Sequence, residues 1–246
     1  TDCGTVDGDL PPGAVREAIA AAAQAAIAGE HIQLARFTLD GAPLPTRGGS
    51  LRQAEQREGA VVEVSIQPHL PQEHLIIAGA GHIGEPLAQI AKVLGYRVTV
   101  VDDRAHFANR ERFPDADRVI AAGFAETMGQ LRLHMRTYIV LVTRGHEHDE
   151  AILEQIISSP APYIGMIGSK RRVLVVFERL VAEGVPDEKL HRVYAPIGLD
   201  IGARWPEEIA LAIMAEIVNL RRGGGSPSLS LRAQRATDHE PLTTDH

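Results

Sequence analysis

The stretch 74–104, HLIIAGAGHIGEPLAQIAKVLGYRVTVVDDR, constrains this chain more than any other. The apolar run 75–78 feeds directly into Gly79-Ala80-Gly81-His82-Ile83-Gly84, and an amphipathic segment near 83–94 follows and is closed by Gly95. A second apolar run, 98–101, ends on Asp102 and Asp103. A phosphate-binding strand-turn-helix needs these parts in this order. Gly79 permits the tight turn, Gly81 lets the backbone approach a pyrophosphate, and Gly84 lets helix and strand pack closely. Unpaired N–H groups at the helix start favour an anion. A carboxylate at the end of the second strand accepts hydrogen bonds from a ribose diol. Asp102, Asp103 and Arg104 leave the nucleotide open: the acids favour a free 2′-hydroxyl, whereas Arg104 accepts a 2′-phosphate. His82 either sits beside the phosphates or fills a variable position of the turn. The competing reading is a domain that keeps the turn for packing alone.

From 75 to 220 strands and helices alternate, the pattern of a parallel sheet covered on both faces. Strands are expected at 75–78, 97–101, 118–121, 138–142, 163–166 and 192–194, and helices near 83–94, 125–133, 149–158, 170–183 and 206–221. Pro206 suits the first turn of the last helix, and Glu207 and Glu208 complement its dipole. That helix is apolar on more than one face, so it is expected to be covered by the sheet and by another domain or subunit. The fold class is therefore α/β, a Rossmann-like doubly wound parallel sheet over 71–222. Residues 1–70 read as a small α+β module, expected to be incomplete because the chain begins at Thr1 rather than Met. It holds an Ala-rich helix at 14–28, strands at 32–39 and 61–66, and a turn-rich stretch between them. Residues 223–246 turn to GGGSPSLS and then to polar residues, which predicts a disordered tail.

In an open parallel sheet, ligands bind outside the carboxyl ends of the strands. Three further loops lie there: Thr143-Arg144-Gly145-His146-Glu147-His148-Asp149 after the fourth strand, Gly168-Ser169-Lys170 after the fifth, and 195–204 around Asp200 after the sixth. Arg144 and His146 are candidates for anion contact or proton transfer. His146, His148 and Asp149 lack a third, widely spaced ligand, so no metal is expected, and the alternative is a capped helix start. Gly168-Ser169-Lys170 is either a phosphate seat at a helix start or a capped helix with solvated basic residues. Asp200 sits between Gly198 and Gly202 and either pairs with a neighbouring arginine or faces the cleft. His146 and Asp200 are the two candidates for chemistry.

A net charge of −7 leaves no basic surplus for a nucleic-acid partner. The single cysteine, Cys3, forms no intrachain disulfide, which suits a reducing cytoplasm. No apolar run is long enough to span a bilayer.

Taken together, GAGHIG (79–84), VVDDR (100–104), RFPDAD (112–117), TRGHEHD (143–149), YIGMIGSKRR (163–172) and APIGLDIGARWPEEIALAI (195–213) resemble the XdhC/CoxI family, the xanthine dehydrogenase accessory proteins. The resemblance implies a Rossmann-like carboxyl-terminal domain in a homodimer that is not itself the dehydrogenase. It implies that the chain holds molybdopterin, the molybdenum cofactor, as cargo and delivers it to a xanthine dehydrogenase-type molybdenum hydroxylase. Family members carry a Cys-Gly-Gly segment near the amino terminus. Here 4–8 (GTVDG) only echoes it, and 47–59 holds no cysteine. Two other functions stay open on the residues alone: an NAD(P)-dependent oxidoreductase, and a nucleotide-sensing regulatory module.

Overall fold

The computed structural model describes residues 9–10, 12–46 and 60–230. The chain divides after Pro71 into two compact units. In the first, helix α1 (Ala14–Gly29) covers an antiparallel sheet of β1 (Gln33–Thr38), β2 (Pro43–Leu44) and β3 (Val61–Ile66) in the order β2-β1-β3. Its core is small: Val15 and Ile19 of the helix meet Ala35 and Phe37 of β1, with Val62, Val64 and Ile66 alongside. Alternation along β3 puts those three residues on one face. The GTVDG segment and residues 47–59 lie outside the described residues.

The second unit is built on six strands: β4 (His74–Ala78), β5 (Arg97–Asp102), β6 (Arg118–Ala121), β7 (Thr137–Leu141), β8 (Tyr163–Met166) and β9 (Val193–Tyr194). Their order is β6-β5-β4-β7-β8-β9. All five pairings are parallel. The order reverses between β4 and β7, which places the crevice of a doubly wound sheet at the carboxyl ends of these two strands. Both faces of the central strands β4 and β7 are buried, so they are almost wholly apolar rather than alternating, whereas the edge strand β6 stays partly exposed. Leu75, Ile77, Val98, Val100 and Val140 face helix α2 (Gly84–Val93) and helix α7 (Pro206–Arg222). Ile76, Ala78, Ile139 and Leu141 face the other layer. That layer is formed by α3 (Phe124–Gln130), α4 (His146–Ile156), α5 (Lys170–Ala182) and the one-turn α6 (Asp187–Leu190). No helix among the described residues is long and apolar enough to cross a membrane.

The carboxyl-terminal boundary differs from the expectation. Composition shifts after Arg222, but residues 223–230 return to the sheet edge. Leu229 donates its N–H to the Gly198 carbonyl at 3.0 Å, Ser228 bridges Leu199, and the fully buried Ser230 accepts from the Ala195 N–H at 3.1 Å. The serines that read as tail composition supply the hydroxyls that satisfy buried backbone groups. Residues 231–246 lie outside the described residues. The last helix buries Ala210, Ile213, Met214 and Ile217 but leaves Leu211 exposed, as is Trp205 immediately before it.

Candidate functional site

The glycine turn sits where the strand order reverses. Gly79 has φ +121°, and a Cβ there would lie 2.4 Å from the Val142 carbonyl oxygen, so only glycine lets the loops after β4 and β7 meet. A Cβ on Gly84 would come within 2.1 Å of the Gly79 carbonyl oxygen, which is the close helix-to-turn packing expected of the third glycine. Gly81 differs, because a Cβ there would meet nothing within 4 Å. Backbone N–H groups of Gly81, His82 and Ile83 make no hydrogen bond among the described residues, and the His82 side chain is exposed. Three free donors beside an unobstructed backbone, at the start of α2, form a seat for an anion.

The ribose end of the turn is closed. Asp102 is fully buried. Its carboxylate accepts from the Ala80 N–H at 2.8 Å, the Arg104 N–H at 3.0 Å, Arg104 Nε at 2.9 Å and Arg104 Nη2 at 3.0 Å. Burial pushes this carboxyl upward, but the hydrogen bonds from Arg104 and Ala80 outweigh it and hold the group down at about 2. Asp102 therefore braces the turn, where the sequence suggests a diol acceptor. Arg104 neutralises it, with its guanidinium 3.9 Å from the Phe107 ring centroid. Asp103, only partly exposed, pairs with Arg144 Nη2 at 3.0 Å. That ion pair ties the loop after β5 to the loop after β7, on either side of β4.

Arg112 is a member of this site that the sequence singles out only as part of a motif. Its Nη1 donates to the Ala80 carbonyl at 2.6 Å and its Nη2 to Glu85 at 2.6 Å, clamping the turn to the first turn of α2. The arginine of the RFPDAD segment lies 32 residues beyond Ala80 in sequence, so no local pattern signals the contact.

The loop after β7 turns inward. Thr143 Oγ1 donates to Asp149 at 2.6 Å, and Arg172 Nη2 donates to the other Asp149 oxygen at 2.6 Å. Burial raises the Asp149 carboxyl, opposed by Thr143 and Arg172. The Asp149–Arg172 pair thus locks α4 to α5, and Thr143 ties the loop after β7 to α4. Among the described residues no group of three His, Cys, Asp or Glu is placed to hold a metal ion. His146 opens α4 directly after Gly145, but its side chain lies outside the described ones. Ser169 caps α5 by accepting from the Arg172 N–H at 3.3 Å, and Gly168 precedes it at φ +159°. Lys170 is exposed at the first position of that helix. Asp200 lies apart from the glycine turn in sequence and lines a cavity of about 340 Å³ beyond β8 and β9.

Known proteins are similar to this chain. The family described as XdhC Rossmann domain matches residues 75–217, more than half of the 246 residues. The uncharacterized protein YqeB of Escherichia coli (strain K12) is 28% identical over 183 residues, covering 74% of this chain and 33% of its own length. A Bacillus subtilis (strain 168) protein, named as a probable xanthine dehydrogenase subunit, is 34% identical over 157 residues, covering 64% of this chain and 46% of its own. The chain thus spans a third to about half of these curated relatives. A solved Bacillus halodurans structure described as a xanthine dehydrogenase aligns with TM-score 0.56 at 25% identity, over 83% of this chain and 64% of that one.

Proposed function

The chain belongs to the XdhC Rossmann domain family, and from that premise we propose that it is an accessory factor for a xanthine dehydrogenase-type molybdenum hydroxylase. In this reading it binds molybdopterin through its phosphate and passes the molybdenum cofactor to the hydroxylase, acting as a carrier in the cytoplasm.

One observation carries this choice of ligand: the anion seat is open and the ribose seat is shut. Gly81, His82 and Ile83 offer free N–H donors, whereas both Asp102 oxygens are consumed by Arg104 and Ala80. A phosphate monoester needs only the first. A pyridine dinucleotide also needs an acceptor for its ribose hydroxyls, and Asp102, the acid that ends β5, is already saturated by its own chain. The chain's own residues bind and orient: N–H groups hold the phosphate, Arg112 and Asp102 keep the turn rigid, and the Arg144–Asp103 pair flanks the seat. The same reading has two copies associate through apolar residues left exposed on α7 and just before it, Leu211 at 52% and Trp205 at 69%.

Activation of a cofactor-free molybdenum hydroxylase by the purified full chain and molybdopterin tests the proposal. Wild type is expected to raise hydroxylase activity and to be stabilised against heat by molybdopterin but not by NAD or NADP. Gly81→Val, whose side chain would fill the seat, is expected to lose both effects. Undiminished activation by Gly81→Val would overturn the placement, and stabilisation by NAD(P) alone would overturn the carrier role.

A further inference from the structure

Loop 195–203 and segment 226–230 enclose the cavity of about 340 Å³, a chamber with aliphatic walls: Ile167, Ile197, Leu199, Ile209 and Leu229. Ala203 also lines it. Two residues further on stands Trp205, the single tryptophan of the chain, outside the chamber and 69% exposed. A large exposed ring beside an apolar hollow gives one surface both a knob and a hole. A two-fold contact between identical copies needs that combination, because each patch must complement itself.

Hole and knob are both held rigid. Buried Glu216 fixes the floor, accepting from the Tyr163 hydroxyl at 2.6 Å, the Gly198 N–H at 2.9 Å and the Ser228 hydroxyl. The Leu199 N–H donates to the Ala212 carbonyl at 3.2 Å, and the Asp200 N–H to the Pro227 carbonyl at 3.4 Å. Under the knob, Glu208 Oε2 accepts from the Arg204 N–H at 2.8 Å and the Trp205 N–H at 3.0 Å. The ring is thus presented on a fixed backbone, which lowers the ordering cost of association.

The charges on this loop match across two copies. Asp200 and Arg204 are both exposed, and neither side chain has a hydrogen-bond or ion-pair partner among the described residues. The neighbouring-arginine pairing considered for Asp200 is not formed among them. Arg204 adjoins the knob and Asp200 lines the hole, so seating one in the other brings unlike charges together. The carboxylate's second oxygen is an acceptor for the indole N–H. Each ring buries about 150–250 Å² and covers as much cavity wall, which comes to about 600–1,000 Å² for the pair. Exposed Ile201 and Leu211 beside it extend this toward the roughly 1,200 Å² of a stable interface.

We infer that two copies join about a two-fold axis by exchanging Trp205 into one another's cavity, with Arg204 of each pairing with Asp200 of the other. This deepens the carrier reading and rests on it only for the association of two copies.

Sedimentation of the full chain over a dilution series, with tryptophan emission read on the same samples, tests it. A monomer–dimer equilibrium is expected, with emission moving to the blue as the dimer fraction rises. Trp205→Ala should weaken association on the order of a thousandfold, since two anchors leave each dimer. Ala203→Phe, which fills the hole, should do likewise. A mixture of these two variants should associate better than either alone, because one knob then meets one open hole. Asp200→Arg and Arg204→Asp should each weaken the dimer by about tenfold or more, and the double reversal should restore it. A monomer at every concentration, a dimer whose emission stays red, or blue emission already in the monomer would overturn the inference. So would a double reversal no better than the single changes. Hydroxylase activation measured on the wild-type sample reads the carrier role separately.

Discussion

Arg104→Ala removes the side chain that neutralises Asp102, and the cost follows from the geometry. The carboxyl lies at about 2 against an ordinary 3.8. At about 1.4 kcal/mol per pH unit, that gap is about 2 kcal/mol of net stabilisation in the folded state. The sign follows from the depressed value. The contribution is complete above pH 3.8, where the unfolded carboxyl is ionised, and disappears as pH falls through about 2. Truncating Arg104 also leaves a fully buried carboxylate with only the Ala80 and residue-104 N–H groups. Breaking a buried pair from one side costs about 3–5 kcal/mol, and the Arg104 side chain is 23% exposed, which points to the low end, about 3 kcal/mol. Urea unfolding at pH 7 followed by circular dichroism is the assay, with a midpoint about 1 M lower expected. Because burial is then opposed only by those two N–H groups, the Asp102 carboxyl rises in the variant, and its deficit relative to wild type shrinks as pH drops from 7 toward 4. Adding Asp102→Asn to Arg104→Ala should recover part of the loss. A deficit below about 0.5 kcal/mol, or a double variant no more stable than the single one, would refute the argument that Arg104 neutralises a trapped charge.

The three glycines of the turn should separate by role. Gly84→Ala is expected to cost about 3 kcal/mol, since its Cβ would meet backbone at 2.1 Å, whereas Gly81→Ala should leave the thermal midpoint unchanged. Equal losses in the two would contradict the assignment. His74, whose ring nitrogen lies 2.9 Å from Thr99 Oγ1, is lowered by burial to about 4 from 6.5. An unfolded chain takes up this proton below pH 6.5 and the folded one does not until about 4, so stability falls by about 3 kcal/mol across that window. His74→Gln should flatten the pH dependence of the urea midpoint there, and an unchanged slope would show that other groups cause it.

Strand positions were legible because a doubly covered parallel sheet demands short, uninterrupted apolar runs. Runs at 75–78 and 163–166 have that form, and β4 and β8 lie there fully buried; the edge strand β6 lies at the expected 118–121 although it opens on Arg118 and is partly exposed. The two-residue β2 was hidden in a turn-rich stretch, because a strand that short has no periodicity to read. Helix α3 stops at Gln130, short of the expected 133, since Leu131 adopts an extended backbone. Within the site, glycine spacing revealed the turn because backbone clearance leaves a compositional mark. The fate of Asp102 left none. An Asp-Asp-Arg run does not say which carboxylate faces inward, and the outcome depends on Arg104 swinging back two residues. Arg112 and Glu216 were equally silent, as their partners are far away in sequence. Asp200 was visible as a charge between two glycines, but the apolar chamber beside it is made by residues that meet only in three dimensions.

The returning stretch after α7 means that the sheet and the chamber are completed at different moments of synthesis. When Arg222 is added, every residue of the six strands and the last helix has been polymerised, yet Leu229, one wall of the chamber, has not. A gene shortened to the end of α7 would still encode every element of the Rossmann unit. It would give a chamber with one side missing, and Glu216 would keep its Tyr163 and Gly198 donors while losing Ser228.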